Sequence, residues 1–230
     1  MVAAVTAAIP GLPGPVQPVG SGTVFVALLS RTQVLKLYPP FLRDHFAFER
    51  AALSAIGHRL PVPTPQLLRT GECEGWPWLV MTQLAGEPLT GAWPGLHEDD
   101  KCRLLQTLGA LGAQVHRLPA DTPKDRAPRW DHFIAGQRAL CHGRQQRTGL
   151  PAHLLAQLPA FLDGPLPEGP DIILTGEYTP MNLLVQGAHL SGMFDFGDGL
   201  LGPAPYDWLG PLAFFSRRPG SALPGFLRGL

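Results

Sequence analysis

Cysteine is scarce in this chain of 230 residues: Cys73, Cys102 and Cys141 stand far apart, with neither a CxxC pair nor Cys/His zinc spacing. An odd, scattered set excludes a disulfide framework, and a reducing cytoplasm is the expected compartment. Excess charge of either sign is also missing, because 18 basic residues meet 18 acidic ones. Without surplus cations to neutralise phosphates or lipid headgroups, neither a nucleic-acid partner nor a membrane partner is expected. Long apolar runs are lacking too. Val2 to Ile9 has no basic flank and stops at Pro10, and no later segment is long and charge-free enough to span a bilayer. Nothing in the sequence speaks to oligomeric state.

What is plentiful is apolar and turn-forming. Hydrophobic residues make up 45% and charged ones 16%, a balance that excludes disorder as the main content. The 27 glycines and 26 prolines punctuate the chain heavily. Residues 10–22 are so dense in both that they read as a loop ending in a glycine turn around Gly20 and Gly22. Thr23 to Leu29 and Gln33 to Tyr38, rich in β-branched and aromatic residues, read as a hairpin. A helical stripe follows over 41–57, a proline-rich connector over 61–70, and a further strand from Trp76 to Leu84. Beyond Ala85-Gly86-Glu87-Pro88 the pattern turns helical, over Asp99 to Leu118, His132 to Arg147 and Pro151 to Leu162. Short apolar strands, Ile172 to Leu174, Leu183 to Val185 and Gly192 to Phe194, interrupt it. The expected class is α+β with a small β-rich N-lobe, residues 1–85, and a larger, mainly helical C-lobe, residues 86–230. The hinge is expected near 82–88.

Only three lysines accompany fifteen arginines, and one of them, Lys36, sits inside the apolar strand VLKLY. Pointing inward, its ammonium needs an anion to offset desolvation, and Glu49 on the next helix can supply it. A strand lysine paired to a helix glutamate is how kinases aim an ammonium at ATP phosphates. The second constellation is TGEYTPMN, where Glu177 and Asn182 are five apart, with Asp195 thirteen residues further on in MFDFGDG. A carboxylate to accept a hydroxyl proton, an amide oxygen and a second carboxylate for Mg²⁺ suit phosphoryl transfer in that order. Gly20 and Gly22 add backbone N–H groups suited to phosphates. Singly, each residue has an ordinary structural reading; together and in this order they point to chemistry. His116, by contrast, reads as a hydrogen-bonded core histidine, and Glu98, Asp99 and Asp100 as a solvated helix start.

These segments resemble the aminoglycoside phosphotransferase and choline kinase branch of the protein-kinase-like superfamily. The resemblance runs from about Gly20 to Phe215 and is carried by VLKLYPP, FERAAL, WLVMTQLAGEPL, LGAQVHRL, TGEYTPMNLLV and FDFGDGLLGPAPYDWLGP. It implies a two-lobed kinase-like fold with ATP in the cleft and Mg²⁺ on Asn182 and Asp195. It also implies adenine against the backbone of Thr82 and Leu84, Met81 at the back of the pocket, and a structural role for Asp207. The implied reaction is phosphotransfer to a hydroxyl of a small acceptor molecule. The sequence departs from the family's His-Gly-Asp loop opening, having Thr175-Gly176-Glu177 instead. The added methylene moves the carboxylate by roughly 1 Å, a displacement able to cost about 10²-fold in rate. The chain also stops 23 residues after Asp207, where relatives continue. A truncated C-lobe is therefore expected, with Phe214, Phe215, Leu223, Phe226 and Leu227 exposed or covering a groove. These departures keep a second reading open, a nucleotide-binding pseudokinase or regulatory module of a larger assembly.

Overall fold

Period-two alternation sets the two faces of the N-terminal sheet. In the computed structural model, which describes residues 2–12, 16–20, 22–119, 129–176, 178–215 and 223–229, helix α1 (Val2–Ala8) precedes strands β1 (Gln17–Val19), β2 (Phe25–Leu28) and β3 (Gln33–Leu37). A single tight turn at Pro40–Leu42 leads into α2 (Arg43–Ile56), followed by β4 (Leu67–Cys73) and β5 (Trp76–Thr82). The five strands form one antiparallel sheet in the order β1-β2-β3-β5-β4. On one face Leu35, Leu37, Trp78 and Val80 pack with Val5 of α1 and Ile9 just after it. On the other, Tyr38, Leu79 and Met81 pack with Phe48, Ala52, Leu53 and Ile56 of α2. Lys36 falls between Leu35 and Leu37, so its side chain leaves the strand on the α2 side.

Three elements depart from the sequence reading. Part of the proline-glycine loop is the edge strand β1, which tolerates Pro18 because it pairs only with β2. Part of the proline-rich connector is β4, the opposite edge; its Arg69, Thr70 and Glu72 are exposed, which erases the apolar alternation a strand reading relies on. Gly71 in that strand leaves room for the Trp78 indole, whose ring a Cβ would strike. The expected helix over 151–162 is two short ones, broken before Pro159.

Beyond the sheet come β6 (Glu87–Pro88), α3 (Leu89–Ala92), α4 (Glu98–Val115), α5 (Trp130–Arg147), α6 (Ala152–Leu155) and α7 (Leu158–Leu162). They are followed by β7 (Ile172–Leu174), β8 (Leu183–Gln186), β9 (His189–Met193), β10 (Leu200–Gly202), α8 (Leu209–Phe215) and α9 (Leu223–Gly229). β6-β8-β9 form one small antiparallel sheet and β10-β7 another. Leu104, Leu105, Leu108 and Leu111, on one stripe of α4, join Leu183, Val185 and Phe226 in the same apolar cluster that contains Phe48, Leu79 and Met81. The cluster therefore runs from the large sheet through to α4.

α9 lies against α4 at backbone distance. A Cβ on Gly109 would strike the Phe226 carbonyl, and one on Gly229 the Gln106 carbonyl. Of the five apolar residues expected to be exposed or to cover a groove, Phe215 and Phe226 are buried, Phe226 by closing over α4. Phe214 and Leu227 are exposed, and the Leu223 side chain lies outside the described residues.

Candidate active site

Lys36 lies mid-strand in β3, paired with Val26 on one side and Leu79 on the other, so the backbone has no freedom to turn the side chain outward. Its Nζ donates to Glu49 Oε2 at 2.6 Å and to Asp195 Oδ1 at 2.7 Å. Glu49 is fully buried on α2 and also accepts the Tyr38 hydroxyl, while Phe196 N–H approaches its other oxygen at 3.5 Å. Burial works against the charge of Lys36, but the Glu49 and Asp195 carboxylates outweigh it and raise its pKa. The Tyr38 hydroxyl is pushed well up by burial and by Glu49 beside it. The phenol therefore stays protonated and is the donor in its bond to Glu49.

Asp195 comes from the other side of the cleft, just after β9, and holds a left-handed backbone with φ 66°. That conformation is costly for a residue with a Cβ and persists only where the surroundings enforce it. Its side chain is 44% exposed against 8% for Lys36, so the carboxylate faces the cleft while the ammonium stays within. Asn182, in the short turn Pro180–Asn182, is buried, and its carbonyl accepts the Phe194 N–H at 3.1 Å. That bond ties the Asn182 turn to the residue preceding Asp195.

Glu177 lies outside the described residues, but the backbone leading to it is well anchored. The buried Asp207 carboxylate accepts the Thr175 N–H at 3.2 Å and the Gly176 N–H at 2.7 Å. His116, which caps the C-terminal end of α4, places Nε2 2.9 Å from Asp207 Oδ2. The core reading of His116 thus holds, with a partner the sequence did not reveal. Gly176 adopts φ 66°, and a Cβ there would press on the Asp198 carbonyl at 3.2 Å. Thr175 Oγ1 is buried without a partner of good geometry.

Between the large sheet and the β6-β8-β9 sheet is a cleft of about 520 Å³. Lys36, Glu49 and Asp195 close its inner end, Val34, Leu184 and Phe194 supply apolar walls, and Met81, Thr82 and Leu84 all line it. The Thr82 N–H is taken by the Gln66 carbonyl at 2.9 Å and the Gln83 N–H by the Thr32 carbonyl at 2.8 Å. Gly20, with φ 80°, borders the cleft next to Val19; Gly22 is exposed and does not line it. Sequence reasoning missed Tyr38 and the pair His45 Nδ1–Asp198 Oδ1, 2.8 Å apart. Tyr38 stands two residues after Lys36, hence on its face, which is the signal that would have found it.

An antiparallel sheet with a helix on each face, set over a mainly helical remainder and bearing a buried lysine–glutamate pair at the cleft, defines a kinase-like fold. The chain belongs to the phosphotransferase enzyme family, whose family model matches residues 16–230. Solved structures share the fold at low identity. The GDP complex of wild-type aminoglycoside 2'-phosphotransferase-IIIa aligns at 18% identity over 92% of this chain and 76% of that one, TM-score 0.73. The streptomycin–ATP–APH(2")-IIa ternary complex aligns at 15% over 85% and 70%, TM-score 0.64. The macrolide 2'-phosphotransferase MphH from Brachybacterium faecium aligns at 20% over 99% and 82%, TM-score 0.62. No curated protein matches the sequence significantly. Among the described residues, no helix is long and apolar enough to cross a membrane.

Proposed function

We propose that the chain transfers the γ-phosphoryl group of ATP to a hydroxyl of a small molecule. The observation that carries this reading is Lys36 held at the inner end of the cleft between a fully buried Glu49 and a cleft-facing Asp195. Glu49 and the Tyr38 hydroxyl fix the ammonium, leaving it aimed at the phosphates of a nucleotide whose base lies toward Met81. With the Thr82 N–H already bonded, adenine would meet the Thr82 carbonyl and the Leu84 backbone. The backbone at Gly20 would cover the phosphates, a role for which Gly22 is displaced from the cleft. Solved relatives in complex with ATP and GDP support nucleotide use in this cleft.

In the reaction, the bond from the γ-phosphorus to the β–γ bridging oxygen breaks as a new P–O bond forms to the acceptor hydroxyl oxygen. ADP leaves, and the hydroxyl proton passes to a carboxylate, assigned to Glu177 from its spacing to Asn182. Asp195 and Asn182 suit a magnesium ion: a carboxylate with one oxygen on Lys36 and its side chain open to the cleft, and an amide oxygen from the adjoining turn, are hard donors. Such an ion, when bound, supplies charge neutralisation across the β- and γ-phosphates. Asp207 fixes the Thr175-Gly176 backbone without a loop imidazole, which favours the enzyme over the pseudokinase. We assign residues 1–85 to the N-lobe, 86–230 to the C-lobe and 82–88 to the hinge. Free Cys73, Cys102 and Cys141 fit a cytoplasmic location.

The test is a thermal-shift titration with Mg·ATP followed by an ADP-release assay over hydroxylated acceptors. Mg·ATP should raise the melting temperature, Lys36→Ala should abolish the rise, and Glu177→Gln should lower transfer by about 10²-fold or more. No shift with Mg·ATP, or an undiminished one in Lys36→Ala, would overturn the reading.

A further inference from the structure

A second cavity of about 710 Å³ opens on the far side of Asp195 from the nucleotide cleft. Its inner end is formed by Gly176 and Gly197, and a Cβ built on Gly197 would lie 3.7 Å from Asp195 Oδ1. A hydroxyl placed there is next to the position where the γ-phosphate would sit. The outer wall is one stripe of α5, with Phe133, Gln137 and Arg144 at spacings of four and seven residues. Opposite stand His45, Asp198 and Tyr206. Phe133 and Tyr206 meet edge to face with ring centroids 5.5 Å apart, and both rings also pack on Trp130.

Away from the Gly176 end, the charges among the described lining residues do not suit a polycation. His45 Nδ1 and Asp198 Oδ1 are 2.8 Å apart and occupy each other, a hydrogen bond that raises the imidazole above its ordinary pKa. Arg144 is the one cation among the described lining residues without a carboxylate partner. It forms no ion pair among the described residues; Nη1 donates instead to Gln137 Oε1 at 2.7 Å, and both residues line this cavity as well as a neighbouring one toward Phe161. Favourable interaction with the carbonyls ending α5 does not by itself require Arg144, because Arg147 stands in the same last turn.

We infer that the acceptor is a hydroxylated molecule with a flat apolar or aromatic face for the Phe133–Tyr206 wall and an anionic group for Arg144. This rests on the phosphotransfer reading and gives its acceptor a chemical class. The transferred oxygen lies at the Gly176–Gly197 end and the anion at the α5 end, so one molecule spans both.

Three probes separate the classes: 4-nitrophenyl β-D-glucuronide (aromatic, anionic), 4-nitrophenyl β-D-glucoside (aromatic, neutral) and kanamycin (polycationic). Binding is measured by calorimetry on the whole chain without nucleotide, and transfer by ADP release with Mg·ATP. The glucuronide should bind about tenfold tighter than the glucoside, as a charge-assisted hydrogen bond in a half-open site provides, with kanamycin weakest. Arg144→Glu should erase the preference for the glucuronide and Arg144→Lys should restore part of it, with circular dichroism melts verifying the fold of each. Four results would overturn the inference: kanamycin binding ahead of the glucuronide, equal binding of the two glycosides, binding of neither, or a preference that survives Arg144→Glu. Loss of the Mg·ATP thermal shift would instead strike the phosphotransfer reading, because the calorimetric ranking does not involve nucleotide.

Discussion

Lys36 is governed by what surrounds its ammonium. Lys36, Glu49 and Tyr38 are buried, so removing the Glu49 carboxylate leaves the Tyr38 hydroxyl without its acceptor and the ammonium with Asp195 as its carboxylate partner. Glu49→Ala should therefore destabilise the protein by about 1–3 kcal/mol in urea unfolding, the cost of leaving a buried polar group unpaired. Because the folded pKa of Lys36 is raised, its contribution is fully present below about 10.4, the unfolded value, and is lost only as pH climbs through the folded one. His45 titrates lower and can be followed by NMR. Its folded pKa is also raised, so the His45–Asp198 pair contributes fully below about 6.5 and fades as pH rises through the folded value. Asp198→Asn should move the His45 titration back toward the ordinary imidazole range, and a titration unchanged by that substitution would contradict the pairing. At this scale the sequence revealed the order Lys36, Glu49, Asn182, Asp195 because each needs a particular functional group. It hid His45–Asp198 and His116–Asp207, whose members are 153 and 91 residues apart in a chain with no pattern linking them.

Among the elements, legibility followed apolar periodicity. α2 and α4 each bury one stripe and stood out; β1 and β4 are sheet edges, half-exposed and carrying proline or charge, and did not. α9 was obscured for a different reason: glycine is a poor helix former, and Gly225 and Gly229 are there because they allow its backbone to rest on α4. The loop at 175–176 depends on an element far from it in sequence, since Asp207 receives both of its amides and the His116 ring at the C-terminal end of α4. Asp207→Asn keeps the shape but turns one acceptor into a donor facing an N–H. It should lower stability by about 1–3 kcal/mol and reduce kcat while the Mg·ATP thermal shift persists. An equal fall in nucleotide binding would place the role of Asp207 in the general fold instead of the loop.

Across the whole molecule, one apolar cluster joins Phe48, Leu79 and Met81 of the sheet to Leu104, Leu108 and Phe226 of the helical part. Lobes sharing a core should unfold together, so calorimetric and van't Hoff enthalpies should agree in a single transition; two resolved transitions would show that the shared cluster does not couple them. The Lys36–Asp195 bond links the same two halves across the cleft, between residues 159 apart in the chain. On the phosphotransfer reading proposed above, it would act as an electrostatic latch on what enters. A metal-free nucleotide would bring negative charge toward Asp195 while drawing Lys36 away, whereas one carrying a cation would offer each of them a new partner. Neutral adenine-shaped molecules leave the latch closed, so inhibitors of that kind would gain their affinity from the hinge side alone and would be indifferent to magnesium.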